Sequence, residues 1–103
     1  MFYSLEKVTA LIGARRFGNA EARIDWLLTD SRSLAFPETT LFFALRTTVG
    51  DGHKYIPDLY RRGVRNFVVG TVPDNYETDY PDANFLRVLS PRKALQRLAE
   101  RHR

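Results

Sequence analysis

The chain has 103 residues, a formal net charge of +4 and no cysteine. That length makes a single domain, and 44% hydrophobic with 27% charged residues excludes a disordered tail or linker. Without cysteine there is neither a disulfide framework nor a thiolate metal site, which suits a reducing compartment. Met1–Glu6 has no basic region leading into an apolar run, so no signal peptide is expected. No apolar stretch approaches the roughly 20 residues that span a bilayer. The expected setting is cytoplasmic, with no membrane partner.

The charge is unevenly spread. Residues 87–103 carry six basic side chains against Glu100 alone, a local +5 that leaves −1 for residues 1–86. The excess therefore belongs to the last helix rather than to the body. A solvated helix face is the plainer reading of such a run than a nucleic-acid surface.

Ser4 can cap a helix whose apolar stripe is Leu5, Val8, Leu11 and Ile12, with Gly13 as a left-handed terminator. Residues 14–22 fit a turn or short edge strand. Ile24 to Thr29 reads as a strand with Trp26 and Leu28 on one face. Phe36-Pro37-Glu38 marks a bend. Leu41 to Leu45 is short and continuously apolar, as in a strand covered on both faces. Gly50 to Gly52 reads as a turn, followed by a helix from about Lys54 through Ile56, Leu59 and Tyr60 to Gly63, with Pro57 in its first turn. Val64 to Val69 is a strand, residues 70–83 a loop rich in Pro, Asp and Asn, and Asn84 to Leu89 a further strand. Ser90-Pro91 starts a final helix that buries Ala94, Leu95, Leu98 and Ala99 and runs off the end. The alternation predicts an α/β domain: a small mixed β-sheet flanked by helices. The chain reads as one domain, residues 1–103, cut from a longer protein.

Two strands thus end in polar clusters. Thr29-Asp30-Ser31-Arg32 offers hydroxyls, a carboxylate and a guanidinium where open α/β sheets bind ligands. Arg32 would grip a phosphate or clamp Asp30, and the cluster also fits a turn held by the Asp30 and Ser31 side chains. Arg46-Thr47-Thr48-Val49-Gly50 ends the next strand similarly; beside the first cluster it would line a crevice suited to a diphosphate on a polar sugar, and alone it would be a solvated loop. Asp51 and His53 admit an acid–base pair, but no nucleophile accompanies them, and His53 at a helix start also reads as a capping group. His53 and His102 are too far apart for a metal site. Gly13 and Gly18 have the glycine spacing of a phosphate loop, but Asn19-Ala20 stand where Lys and Ser/Thr are required.

Residues 27–69, through "TDSR", "PETTLFFAL", "DGHKYI" and "LYRRGVRNFVV", resemble the N-terminal domain of the Mur ligases. Within the family the pattern is most similar to the ligase that adds D-alanyl-D-alanine to UDP-N-acetylmuramoyl-tripeptide, including forms fused to an alanine racemase; the ligase adding the third amino acid shares most of it. The resemblance implies a non-catalytic domain that holds the UDP end of the nucleotide through Thr29, Ser31, Thr47, Thr48, Val49 and Gly50, with Arg32 a phosphate contact and Asp30, Asp51 and His53 in support. It implies no cofactor or metal here, with ATP and Mg bound by a missing central domain, and the central and C-terminal domains as partners. Thr47 stands where the family usually has glycine, and Glu38-Thr39-Thr40 replaces its glycine–acid bend.

Overall fold

The computed structural model describes residues 3–48 and 50–101. Among these residues nine short strands and four α-helices follow in order: β1 (Tyr3–Ser4), α1 (Leu5–Ile12), β2 (Arg15–Phe17), β3 (Arg23–Ile24), β4 (Trp26–Leu28), β5 (Thr40–Phe43), β6 (Arg46–Thr47), β7 (Gly50–Asp51), α2 (Ile56–Arg61), β8 (Asn66–Val69), α3 (Tyr76–Asp79), β9 (Asn84–Arg87) and α4 (Pro91–Arg101). The central sheet has five strands in the order β2-β9-β8-β5-β4. β4, β5, β8 and β9 run parallel, and β2 closes the far edge antiparallel to β9.

Every residue of β5 is buried because the sheet is covered on both sides. Leu41 and Phe43 join Val68 and Leu86 beneath α1 and α4, against Leu5, Val8, Ile12, Ala94 and Leu98. Phe42 faces the other way with Phe67 and Phe85, where α2 supplies Ile56 and Leu59. Phe67 and Phe85 stack at 5.3 Å, and Phe42 meets Phe67 edge-on at 6.3 Å. At the amino ends of β8 and β9, Asn84 Nδ2 donates to Asn66 Oδ1 (3.1 Å) and to the Ala20 carbonyl (3.0 Å), so polar side chains pin the register there.

The helix signals correspond to real caps. Ser4 Oγ accepts from the Lys7 N–H at 3.1 Å, Gly13 ends α1 at φ +64°, and Ser90 Oγ accepts from the Lys93 N–H at 3.2 Å. Other elements differ from the sequence expectation. The strand expected over 24–29 is broken at Asp25: β3 pairs with β1 and only β4 joins the main sheet. Gly50–Asp51 is not a simple turn but the return strand of a hairpin with β6, and Thr47 pairs with Gly50. A 3-10 turn over Gly52–Tyr55 displaces the start of α2 to Ile56, because the Asp51 side chain caps the tighter turn first. Residues 70–83 include the single-turn α3, packed through Tyr76 and Tyr80 onto Phe85. The strand expected to reach Leu89 stops at Arg87, and Leu89 is 93% exposed. Ala99 is exposed rather than buried, since Ala94 and Leu98 already fill the helix's inward stripe. The expected run-off of the last helix falls beyond the described residues.

Candidate functional site

Parallel pairing of β4 and β5, with Leu28 opposite Phe42, brings their carboxyl ends to one edge of the sheet. β8 and β9 end at the same edge. All the polar clusters flagged by the sequence follow these ends.

After β4 the chain turns at once. Asp30 accepts from the Arg32 N–H at 2.9 Å, closing a 3-10 turn over Ser31–Ser33. The Arg32 side chain returns to the same carboxylate through Nε and Nη2, both at 3.1 Å. These hydrogen bonds, the side-chain ones foremost, hold the Asp30 carboxyl below its ordinary range. Arg32 is therefore clamped on Asp30, one of the two roles open to it. From the end of α2, Arg62 Nη1 donates to the Ser31 carbonyl at 2.9 Å and ties the turn to the body. Thr29, Asp30, Ser31 and Arg32 line a cavity of about 490 Å³ with one further side chain, Tyr55.

After β5 the hairpin β6–β7 places Arg46 directly opposite Asp51, and Arg46 Nε donates to Asp51 Oδ2 at 3.1 Å. Thr47 Oγ1 donates to the Gly50 carbonyl at 3.2 Å, and Thr47 and Thr48 are exposed. Val49 lies outside the described residues. Gly52 sits where its N–H reaches the Leu45 carbonyl at 2.7 Å; an added Cβ would stand 2.9 Å from the Leu45 nitrogen. Only glycine fits this approach, so the hairpin folds back closely on the end of β5. Asp51 Oδ1 accepts from the His53 N–H at 3.0 Å and lies 2.5 Å from His53 Nδ1. The backbone N–H of His53 acts most strongly, with the His53 ring and Arg46 adding to it against partial desolvation, and the Asp51 pKa falls to about 2.

Arg46 and His53 line a second cavity of about 270 Å³ with Gly70, Thr71, Ser90 and Arg92, at the ends of β5, β8 and β9. A third, of about 430 Å³, lies between Arg46, Asp51, His53, Val72, Asp74 and Tyr80. The two sequence clusters thus share a sheet edge but line different cavities. The Thr29–Arg32 cavity is closed instead by Tyr55, at the end of the 3-10 turn that Asp51 caps after the hairpin.

A model described as Mur ligase family, catalytic domain, matches residues 23–103. The chain belongs to the Mur ligase family. It is 35% identical over 78 residues to the UDP-N-acetylmuramoyl-L-alanyl-D-glutamate–2,6-diaminopimelate ligase of Clostridium tetani, covering 76% of this chain and 16% of that one. Two solved structures from Acinetobacter baumannii share the fold. A crystal structure of MurF has a TM-score of 0.80 at 20% identity over 95% of this chain and 20% of its own. A structure of UDP-N-acetylmuramoylalanyl-D-glutamyl-2,6-diaminopimelate–D-alanyl-D-alanyl ligase gives the same score and identity over 95% and 21%. The fold is the α/β domain seen at the N-terminus of MurF. The chain spans about a fifth or less of the length of these relatives.

Gly13 caps a helix and Arg15–Phe17 is a strand, so the Gly13–Gly18 spacing forms no phosphate loop before a helix. Among the described residues no three His, Asp or Glu side chains are grouped for a metal ion. Among them, too, no helix is long and apolar enough to cross a membrane.

Residues that sequence reasoning left out of the site are Tyr55, Gly70, Thr71 and Arg92. Tyr55 follows "DGHK" directly, and reading that segment as a capped 3-10 turn rather than the start of a helix would have turned its ring outward. The others reach the edge only through the sheet order.

Proposed function

We propose that this chain is the substrate-recognition domain of a Mur ligase of peptidoglycan synthesis, holding the UDP end of UDP-N-acetylmuramoyl-tripeptide. The cavity walled by Thr29, Asp30, Ser31, Arg32 and Tyr55 carries the reading. The Thr29 and Ser31 hydroxyls supply donors for the edge of a pyrimidine base, and Tyr55, 41% exposed, offers that base an apolar ring face. The diphosphate would extend along the sheet edge toward the exposed Thr47 and Thr48, with Asp30, Asp51 and His53 keeping the turns in shape. This domain binds and orients. ATP, Mg and the transfer itself belong to the central and C-terminal domains of the parent ligase.

The MurF-like fold supports D-alanyl-D-alanine as the group added by the parent, whereas the 35% identity to the diaminopimelate-adding ligase supports addition of the third amino acid. Both readings assign the same UDP end to this domain. The test is titration of the isotope-labelled chain with UDP and with the muramoyl tripeptide nucleotide. Amide shifts at Thr29–Arg32, Tyr55 and Thr47–Asp51 are expected, and saturating ligand that leaves these unmoved would overturn the assignment.

A further inference from the structure

His53 connects two loops that the chain order keeps apart. Its Nδ1 meets Asp51 Oδ1 at 2.5 Å, in the hairpin that precedes it. On the other side of the ring, Nε2 accepts from the N–H of Gly70 at 3.1 Å and faces that of Thr71 at 3.4 Å, in the turn that leaves β8. The ring is largely buried, with 18% of its side chain exposed.

These partners leave one protonation pattern. Asp51 is an ionised carboxylate, already accepting from Arg46 and from the His53 N–H, so it can only accept and Nδ1 must carry the hydrogen. Backbone N–H groups can only donate, so Nε2 must present its lone pair to Gly70. A second proton on the ring would set an N–H donor against two others across the same contact.

We infer that His53 is a positioning residue: as the neutral Nδ1–H tautomer it fixes the Arg46–Asp51 hairpin against the Gly70–Thr71 turn, and a second proton releases that link. The cavity bounded by Arg46, His53, Gly70, Thr71, Ser90 and Arg92 then loses one wall in acid. The charged and titratable groups that share the ring's hydrogen bonds, cavities or turn come from several elements. Asp51 and Arg46 lie on the hairpin, Lys54 on its own turn, Arg92 at the start of α4, and Asp74 and Tyr80 around the loop that follows β8. The link itself is independent of the ligand; its effect on nucleotide affinity rests on the UDP reading above.

The test follows the ring nitrogens and the backbone amides of the labelled chain from about pH 8 to about pH 5. At the upper end Nδ1 carries hydrogen and Nε2 does not. As the ring takes its second proton, the Gly70 and Thr71 amides shift with the same midpoint, and Gly70 hydrogen exchange, corrected for its intrinsic pH dependence, rises about tenfold, while amides inside β9 stay unchanged. An Nε2–H tautomer at the upper end, or Gly70 and Thr71 amides that do not follow the ring, would overturn the proposal. Two variants separate the bonds. His53→Gln presents a non-titrating acceptor and should keep Gly70 protected throughout the pH range. His53→Asn keeps a donor for Asp51 but cannot reach Gly70, and should leave Gly70 exchanging fast at every pH; wild-type exchange in both variants would overturn the proposal. UDP titrated at both ends of the range separates the two claims. Failure to bind at either pH, with amides that track the ring, removes the UDP reading and leaves the link standing; binding with amides that ignore the ring does the reverse.

Discussion

Gly50 in the hairpin and Gly52 in the turn that leaves it lie two residues apart, and the structure assigns them opposite tolerances. A Cβ on Gly52 would stand 2.9 Å from the Leu45 nitrogen, 3.1 Å from Ala44 Cα and 3.1 Å from the Leu45 oxygen. All three are backbone atoms at the end of the buried strand β5, so none can yield by changing rotamer. Relief requires the turn to move off β5, with loss of the 2.7 Å Gly52 N–H to Leu45 carbonyl hydrogen bond. Such overpacking costs roughly 1–3 kcal/mol, partly offset by about 0.4–1 kcal/mol from the stiffer unfolded chain. Gly52→Ala should therefore destabilise by about 1–2 kcal/mol, lowering the melting temperature by about 4–15 °C in a domain of this size. At Gly50 the same Cβ meets only the flexible end of Lys54, at 3.4 Å from Nζ. Gly50→Ala should stay within about 0.5 kcal/mol of wild type. Urea unfolding of the two variants beside wild type reads both. Equal stability of the two variants, in either direction, would show that the hairpin does not rest on β5 as described.

Other substitutions test the remaining layers. Tyr55→Ala should weaken UDP binding by about 5- to 100-fold through loss of base stacking while Tyr55→Phe largely preserves it; calorimetric titration with UDP, and with pyrophosphate as the base-free control, distinguishes the two. Phe67 is fully buried between Phe42 and Phe85, so Phe67→Ala should cost about 3–5 kcal/mol by urea unfolding. The depressed pKa of Asp51, about 2, means its ionised form contributes stability above the unfolded carboxyl range and loses it as pH falls toward 2. Because 41% of that side chain is exposed, the contribution is about 1 kcal/mol or less. The stability gap between wild type and Asp51→Asn, measured by urea unfolding at a series of pH values, should accordingly narrow below about pH 4.

What the sequence made legible was whatever local chemistry decides. Ser4, Gly13 and Ser90 act within one helical turn of themselves, and each marks a real helix end. Leu41 to Phe43 announced a doubly covered strand because three apolar residues in succession must point to both faces. The site was harder. Asp30 shapes its turn locally, so "TDSR" could be read as a turn, yet Tyr55 completes that cavity only because Asp51 caps a 3-10 turn ahead of α2. His53 finds Gly70 seventeen residues away, across a parallel strand connection that no local pattern encodes. Two polar strand ends suggested one crevice, whereas strand order and the hairpin divide the edge into several cavities.

That division raises a question about charge. A diphosphate at this edge meets arginines that are already occupied, Arg32 by Asp30 and Arg46 by Asp51. Asp30→Asn separates the two jobs of the first pair. Asparagine caps turns about as well as aspartate, so the bond from the Arg32 N–H and the Ser31 geometry should persist. The guanidinium, 88% exposed, would then be released from its carboxylate, and one negative charge would leave the cavity. An exposed pair of this kind holds only weakly, so UDP should bind about two- to fivefold more tightly and uridine, which has no phosphate, unchanged. Parallel titration with both ligands reads the difference, which should fade in high salt because exposed charges are screened. If uridine and UDP weakened together, Asp30 would instead be what holds Ser31 in place, and Arg32 would lose its claim as a phosphate contact.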